Sequence, residues 1–413
     1  MTVVSFRKRT AVTLVTTHGR VEIEALSQEE TLLQLLCRSG IPWSAVSIFS
    51  VDDENRGTLV ASLDTPMSEL AGASEVLIHF NRNVNPLMFS VLSHERSDAA
   101  AGPNVSDYVY QHVDNASGSV ENTLKGLSAE ECRRAVAQQV HRFLAEHCRP
   151  NERIVVGISG GGDSNALLMA MTSFVGFPLD IRPVILQGIA DWDAGVPRAR
   201  ELCEQYGLSL EVVSDARVRQ IAGLRDKVDL VQKYESLFPG DDFEFLGTLL
   251  IRKVLTQMAK DLGTDKICTG LNMEDVLCES LYRVSAGRAP LSFPTRPLGD
   301  VTVLYPLWLC PKKIIDGCFP KYSIENYAMR YPCFSVGRNL YYMMAYTLQS
   351  QFPGAVERLL FGLKALAELK PASLTNDVEL DTLMERDVPA DVRRRFSQLM
   401  VPRAPARWSG EQT

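Results

Sequence analysis

The 413-residue chain has no apolar run approaching the ~20 residues that a membrane-spanning helix needs. Its first residues, Met1 to Arg9, lack the apolar core and small-residue cleavage site of a secretory leader. The nine cysteines are an odd number without a CxxC pair, which speaks against a disulfide framework and for reduced thiols in the cytoplasm. Positive charge is also short: the net charge of −7 argues against a broad nucleic-acid footprint. Histidine is absent after His147, so the C-terminal two thirds has no imidazole for general-base chemistry.

What is present is ordinary for a folded protein, with 46% apolar and 23% charged residues and enough length for two or three domains. Residues 1–85 are predicted as a small α+β domain. Within it, β-rich runs at 11–16 and 21–25 flank His18-Gly19, a helical run covers 31–37, and further strands cover 46–51 and 75–80. This order resembles the β-grasp, or ubiquitin-like, arrangement, although the module runs into Asn81-Arg82-Asn83 rather than ending in Gly-Gly. A docking or oligomerisation role therefore suits it better than a sulfur-carrier role. Residues 86–127 are expected as a linker, rich in Ser, Asp, Asn, Ala and Gly over 94–118. Ser128 and Glu131 then have capping-box spacing and open an amphipathic helix to about Glu146. From there to 345 strands and helices alternate, which predicts a parallel sheet with helices on both faces. Residues 346–413 are expected as a helical extension whose Pro/Arg-rich tail, from Arg403, is disordered.

The central motif is Ser159-Gly160-Gly161-Gly162-Asp163-Ser164, placed between the apolar run Ile154–Ile158 and a helical segment beginning near Asn165. Strand, glycine turn and helix form an anion site: glycines allow close backbone approach, and the helix start presents unpaired N–H groups and a favourable dipole. No Lys follows the glycines, which excludes a Walker A loop. Asn165 stands where a dinucleotide fingerprint counted from Gly160 needs Gly or Ala. Asp163 offers an oxygen to Mg²⁺.

The serine-bracketed glycines resemble the PP-loop of the N-type ATP pyrophosphatases, whose α/β fold is of the HUP-like kind. Gly270-Leu271-Asn272-Met273-Glu274-Asp275 resembles the Gly-His-x-x-Asp-Asp element of the tRNA 2-thiolation and tRNA-lysidine synthetase branch, with Leu271 replacing the histidine and Glu274 the first aspartate. Arg330-Tyr331-Pro332-Cys333 and Val336-Gly337 resemble the late Pro-Cys-x-x-Cys-Gly segment of the thiolation enzymes. Gln351-Phe352-Pro353-Gly354 is similar to the same branch, while the upstream CxxC has no counterpart near Glu244 and Gly247.

The resemblance implies ATP and Mg²⁺ as cofactors, with cleavage between the α and β phosphates. It assigns Ser159, Gly160, Gly161, Gly162 and Ser164 to the pyrophosphate, and Ile158, Leu186 and Gly270 to the nucleotide. It makes Asp163 and Asp275 the catalytic and metal-linked carboxylates, with Cys333 as a sulfur-carrying thiol. One matching cysteine instead of three or four argues against an iron–sulfur cluster. The implied reaction is adenylation of a carbonyl oxygen, then sulfur transfer to a nucleobase, small metabolite or tRNA, with a sulfur-donor protein as partner, no membrane, and room for an oligomer. A C–N ligase and an ATP-binding scaffold without turnover stand as alternatives, the latter motivated by the missing histidine and cysteines. Among other residues, Lys312-Lys313 are candidate phosphate cations and Arg252-Lys253 occupy a basic position of the thiolation enzymes. Arg393-Arg394-Arg395 reads as a solvated helix face. Cys268, Cys278, Cys310 and Cys318 read as core.

Overall fold

The computed structural model describes residues 11–16, 19–39, 46–54, 56–60, 64–80, 106–113, 120–226, 228–238, 244–320, 322–323, 336–351, 354–371, 374–377, 382–384 and 390–401. The N-terminal part holds β1 (Ala11–Thr16), β2 (Gly19–Glu24), α1 (Leu32–Arg38), β3 (Val46–Val51), β4 (Gly57–Leu59) and β5 (Glu75–Phe80). They form one sheet in the order β2-β1-β5-β3-β4, in which β1 and β5 run parallel and the other neighbours antiparallel. Leu32, Leu35 and Leu36 recur at helical spacing, so one face of α1 is apolar and packs with Val12, Ile48, Met67 and Ile78. Every strand predicted in this stretch is present, and β4 is added.

The expected linker contains structure. β6 (Ser106–Val113) and β7 (Val120–Leu127) pair antiparallel along their whole length, from Ser106 opposite Leu127 to Val113 opposite Val120. Tyr108, Val109 and Tyr110 carry β propensity inside a stretch whose average composition is that of a linker.

Next come α2 (Ala129–His147), β8 (Arg153–Gly157), α3 (Gly162–Thr172), β9 (Asp180–Leu186), α4 (Ala190–Gln205) and β10 (Glu211–Val213). They are followed by α5 (Asp215–Ala222), α6 (Leu230–Leu237), α7 (Glu244–Asp261), β11 (Lys266–Thr269), α8 (Met273–Ser285), β12 (Thr295–Leu298) and β13 (Val301–Leu304). The sheet order is β10-β9-β8-β11-β13-β12, parallel throughout except for β12. The chain thus enters at the centre on β8, moves outward to β9 and β10, and returns to β11 on the other side. That reversal opens a crevice beyond the carboxyl ends of β8 and β11, the usual ligand position in such sheets.

The centre of the sheet is apolar on both faces: Ile154, Val155 and Val156 of β8 are fully buried. On the helix side, Ser128 and Glu131 form the expected capping box of α2. The β12–β13 hairpin was not anticipated, because Pro297 interrupts its strand pattern. As the sheet's edge strand, β12 tolerates a residue without an N–H.

The C-terminal part contributes α9 (Lys312–Cys318), α10 (Val336–Gln351), α11 (Ala355–Leu369), the short pair β14 (Thr375–Asp377) and β15 (Thr382–Met384), and α12 (Ala390–Phe396). Phe396 and Leu399 share a core with Leu230, Tyr234, Phe238, Leu246 and Leu250, so the end of the helical extension is built into the α/β domain. The Arg403 tail lies outside the described residues. No helix among the described residues is long and apolar enough to cross a membrane.

Candidate functional site

The glycine loop leaves the carboxyl end of β8, the strand flanked by β9 and β11. Gly160 has φ +71°, in the left-handed region, and a Cβ there would come within 2.6 Å of the Gly195 carbonyl oxygen and 2.9 Å of the Ala199 nitrogen. Glycine at 160 is thus required twice, by conformation and by the approach of α4. The two serines face each other across the turn. Ser159 N–H donates to Ser164 Oγ at 2.9 Å, and the two hydroxyls stand 3.3 Å apart.

Gly161 is the N-cap of α3 and supplies no side-chain acceptor. The N–H groups of Gly162, Asp163 and Ser164, the first three of the helix, have no acceptor within it. Ile158 and Leu186, at the ends of the neighbouring strands β8 and β9, are buried beside the loop.

Beneath the start of α3 lies a buried cluster of charge. Lys312 Nζ pairs with Asp316 Oδ1 at 2.5 Å and with Asp163 Oδ1 at 3.2 Å. Lys312 and Asp316 are 5% and 3% exposed, so this is an interior ion pair and not a surface cation. The Asp163 Oδ1 atom is closed to solvent and faces this ammonium as an ion pair without hydrogen-bond alignment. A Cβ on Gly162 would meet Asp316 Oδ1 at 3.1 Å and Ser323 Oγ at 3.3 Å, so the cluster presses directly on the first turn.

Glu274 holds the cluster in place from α8. Its Oε2 accepts the Lys312 backbone N–H at 2.8 Å, supplying α9 with the cap that Pro311 cannot. Burial pushes the Glu274 carboxyl up to about 7, partly offset by that hydrogen bond.

Asp275 stands at the start of α8 in a reciprocal capping box. Its Oδ2 accepts the Asn272 N–H at 3.0 Å, and Asn272 Oδ1 accepts the Asp275 N–H at 3.0 Å. Its Oδ1 accepts the Tyr342 hydroxyl at 2.8 Å. Gly270 brings this segment against the loop: a Cβ on it would lie 3.6 Å from Asp163 Cβ.

With Oδ1 turned to Lys312 and the side chain 22% exposed, Asp163 leaves its second carboxylate oxygen for a divalent cation, while the Asp275 oxygens serve the cap and Tyr342. No three His, Cys, Asp or Glu side chains among the described residues form a ready metal cage. An Mg²⁺ here would take most of its ligands from phosphate and water, which is its habit.

The remaining candidates divide. Cys333 lies outside the described residues. Cys268, Cys278, Cys310 and Cys318 are buried as expected, and burial raises the thiols of Cys268, Cys310 and Cys318. Arg252 and Lys253 donate to the carbonyls of Leu383 and Ala222. Arg395 donates to the Leu237 carbonyl and lies 4.6 Å from the centre of the Phe238 ring, so the expectation of a wholly solvated basic face is corrected by packing. Sequence reading missed Asp316, although its i,i+4 spacing from Lys312 is the one trace of the pair that the sequence carries.

The fold is a parallel α/β domain with an open glycine turn at the carboxyl end of its central strand. No family model matches the chain, and no curated protein matches its sequence. Among solved structures it is similar to the U34-tRNA thiolase NcsA from Methanococcus maripaludis, at 18% identity and a TM-score of 0.48, over 66% of this chain and 87% of the other. It is also similar to an NH3-dependent NAD synthetase from Campylobacter jejuni, at 13% identity and a TM-score of 0.31, over 58% of this chain and 94% of the other. A third similar structure is the PAPS reductase from Candida auris, at 17% identity and a TM-score of 0.28, over 50% of this chain and 90% of the other. These are likenesses of shape. The thiolase structure contains a 4Fe–4S cluster, which conflicts with the sequence-based expectation against one.

Proposed function

We propose that the chain is an ATP pyrophosphatase-type enzyme that adenylates a carbonyl oxygen, releases pyrophosphate, and then passes sulfur to the activated carbon with departure of AMP. A carbonyl oxygen leaves poorly until it is esterified to phosphate, so adenylation divides one difficult substitution into two easier ones. In this reading Ser159, Gly160, Gly161, Gly162 and Ser164 receive the β and γ phosphates, while Ile158, Leu186 and Gly270 border the nucleoside. Asp163 holds Mg²⁺, which supplies charge neutralisation at the phosphate oxygens. Lys312 adds a fixed cation beneath them. Asp275 acts by fixing the start of α8; Cys333 is the proposed sulfur carrier, its persulfide sulfur attacking the activated carbon as AMP departs and an external thiol then cleaving the resulting disulfide to release the thiolated product. The acceptor is a nucleobase, a small metabolite or a tRNA. The N-terminal domain is read as a β-grasp module for docking or oligomerisation.

One observation carries the proposal: an uncapped helix start on the central strand, set over the buried Lys312–Asp316–Asp163 cluster. Anion-binding amides beside the partly exposed Asp163 carboxylate suit Mg²⁺-bound polyphosphate. The test is ATP–pyrophosphate exchange and AMP formation with candidate nucleobases, metabolites and tRNA, with mass spectrometry of the products. Exchange and stoichiometric AMP are expected, and Asp163→Ala should reduce both by on the order of a hundredfold or more. Wild-type rates in that variant would remove Asp163 from the site, and binding without turnover across all substrates would leave a scaffold. The mass of the product separates sulfur from nitrogen as the incoming atom.

A further inference from the structure

The peptide planes of the glycine loop are held from behind. The Ser159 carbonyl oxygen faces α4, since a Cβ on Gly195 would come within 2.4 Å of it. The next carbonyl, that of Gly160, accepts from Arg198 Nε at 3.3 Å and from the Tyr322 hydroxyl. Arg198 belongs to α4 and Tyr322 follows α9, so the two donors converge from elements far apart in sequence. In a planar trans peptide the carbonyl and the following N–H point in opposite directions. Two successive carbonyls turned inward therefore turn the N–H groups of Gly160 and Gly161 outward. Together with the open start of α3 they form a concave nest of donors, a shape that suits anions.

We propose that Arg198 and Tyr322 are positioning residues for the polyphosphate of the nucleotide: by pinning the Gly160 carbonyl they keep the Gly161 N–H presented to a phosphate oxygen. Glycines on both sides of that peptide offer little steric resistance to a flip. A flipped peptide would aim a carbonyl dipole at the phosphate and replace an attraction by a repulsion. The two donors block this because the flip would strand both. Tyr322 is suited to the task, since its phenol is a donor at neutral pH and burial pushes it up to about 12. The proposal rests on the reading of the loop as the ATP site, and its signature is selective: contacts to phosphate weaken, and contacts to the nucleoside do not.

The test is calorimetric titration of the full chain with Mg·ATP, Mg·pyrophosphate and AMP, for wild type, Tyr322→Phe, Arg198→Met and the double variant. Each single change should weaken ATP and pyrophosphate by about 2- to 10-fold, the span of one ordinary hydrogen bond. The double variant should lose at least tenfold, and Arg198→Lys should recover part of the loss. Affinity for AMP should stay within about twofold. Equal weakening of all three ligands, or pyrophosphate affinity unchanged in the double variant, overturns the positioning role while leaving the ATP site standing. A wild-type chain that binds neither ATP nor pyrophosphate overturns the ATP site itself, and the positioning role with it. Should Arg198→Met fail to fold, Tyr322→Phe, which removes a single oxygen, decides the question.

Discussion

Two helices begin side by side at the carboxyl ends of neighbouring parallel strands, and they are finished in opposite ways. The start of α8, after β11, is closed: Asn272 and Asp275 cap each other's N–H groups, and Tyr342 takes the remaining carboxylate oxygen. The start of α3, after β8, is left open: Gly161 offers no side chain, and the Ser164 hydroxyl turns back to the Ser159 N–H. A side-chain cap contributes about 0.5–2 kcal/mol, and glycine at this position gives up a few tenths of that. The domain therefore forgoes a small stabilisation at one helix and not at its neighbour. The open start also lies over a buried lysine paired with carboxylates, a cluster that is costly to assemble in the interior. Sequence alone makes the two starts look equivalent, each a turn with glycine and acidic residues after a strand. The structure separates a helix start that serves the fold from one shaped for an anion.

The sharpest way to break this contrast is to remove the cation beneath the open start. Lys312→Met takes the cation away from the buried Asp316 and the half-buried Asp163, and the expected loss is about 3–5 kcal/mol of stability by urea unfolding. A loss below about 1 kcal/mol would mean that the cluster is hydrated like a surface pair.

The pH dependence of stability probes the same cluster from α8. Glu274 titrates near 7 in the folded chain against an ordinary 4.5, so the folded state holds this proton where the unfolded state has released it. Its contribution is complete below about pH 4.5 and is lost as pH rises through about 7. Glu274→Gln keeps an acceptor for the Lys312 N–H. The variant's Tm should therefore fall less steeply than that of wild type between these pH values. Parallel Tm profiles would show that Glu274 is ionised throughout.

The smallest effects come from exchanging the two helix starts. Asn272→Ala opens α8 and should cost about 0.5–2 kcal/mol with little change in ATP affinity. Gly161→Ser closes α3 and should gain a few tenths of a kcal/mol while weakening ATP several-fold, because the new hydroxyl occupies amides that the phosphate needs. If both variants change ATP affinity alike, the two starts do not differ in function.

Much of the fold was legible because local chemistry and tertiary structure agree. The Ser128–Glu131 spacing produced its capping box, and the β11 and α8 limits were read from the apolar pattern alone. Where the reading failed, a local signal was diluted or contradicted. Pro297 masked an edge strand, and the Asn, Gly and Ser residues around β6 and β7 hid a hairpin. At the site, the glycine loop was evident, but its supports were not. Nothing in the spacing of Asp275 revealed that Tyr342, 67 residues on, would donate to its carboxylate. Arg198 and Tyr322 reach one carbonyl from 38 and 162 residues away, a convergence without a linear trace.

A crystal structure with Mg²⁺ and a non-hydrolysable ATP analogue tests the central claim most directly. The account predicts the β and γ phosphates on the amides from Gly160 to Ser164, with the metal on Asp163 and the capping box of α8 unchanged. Polyphosphate bound elsewhere, with the start of α3 still bare, would contradict it.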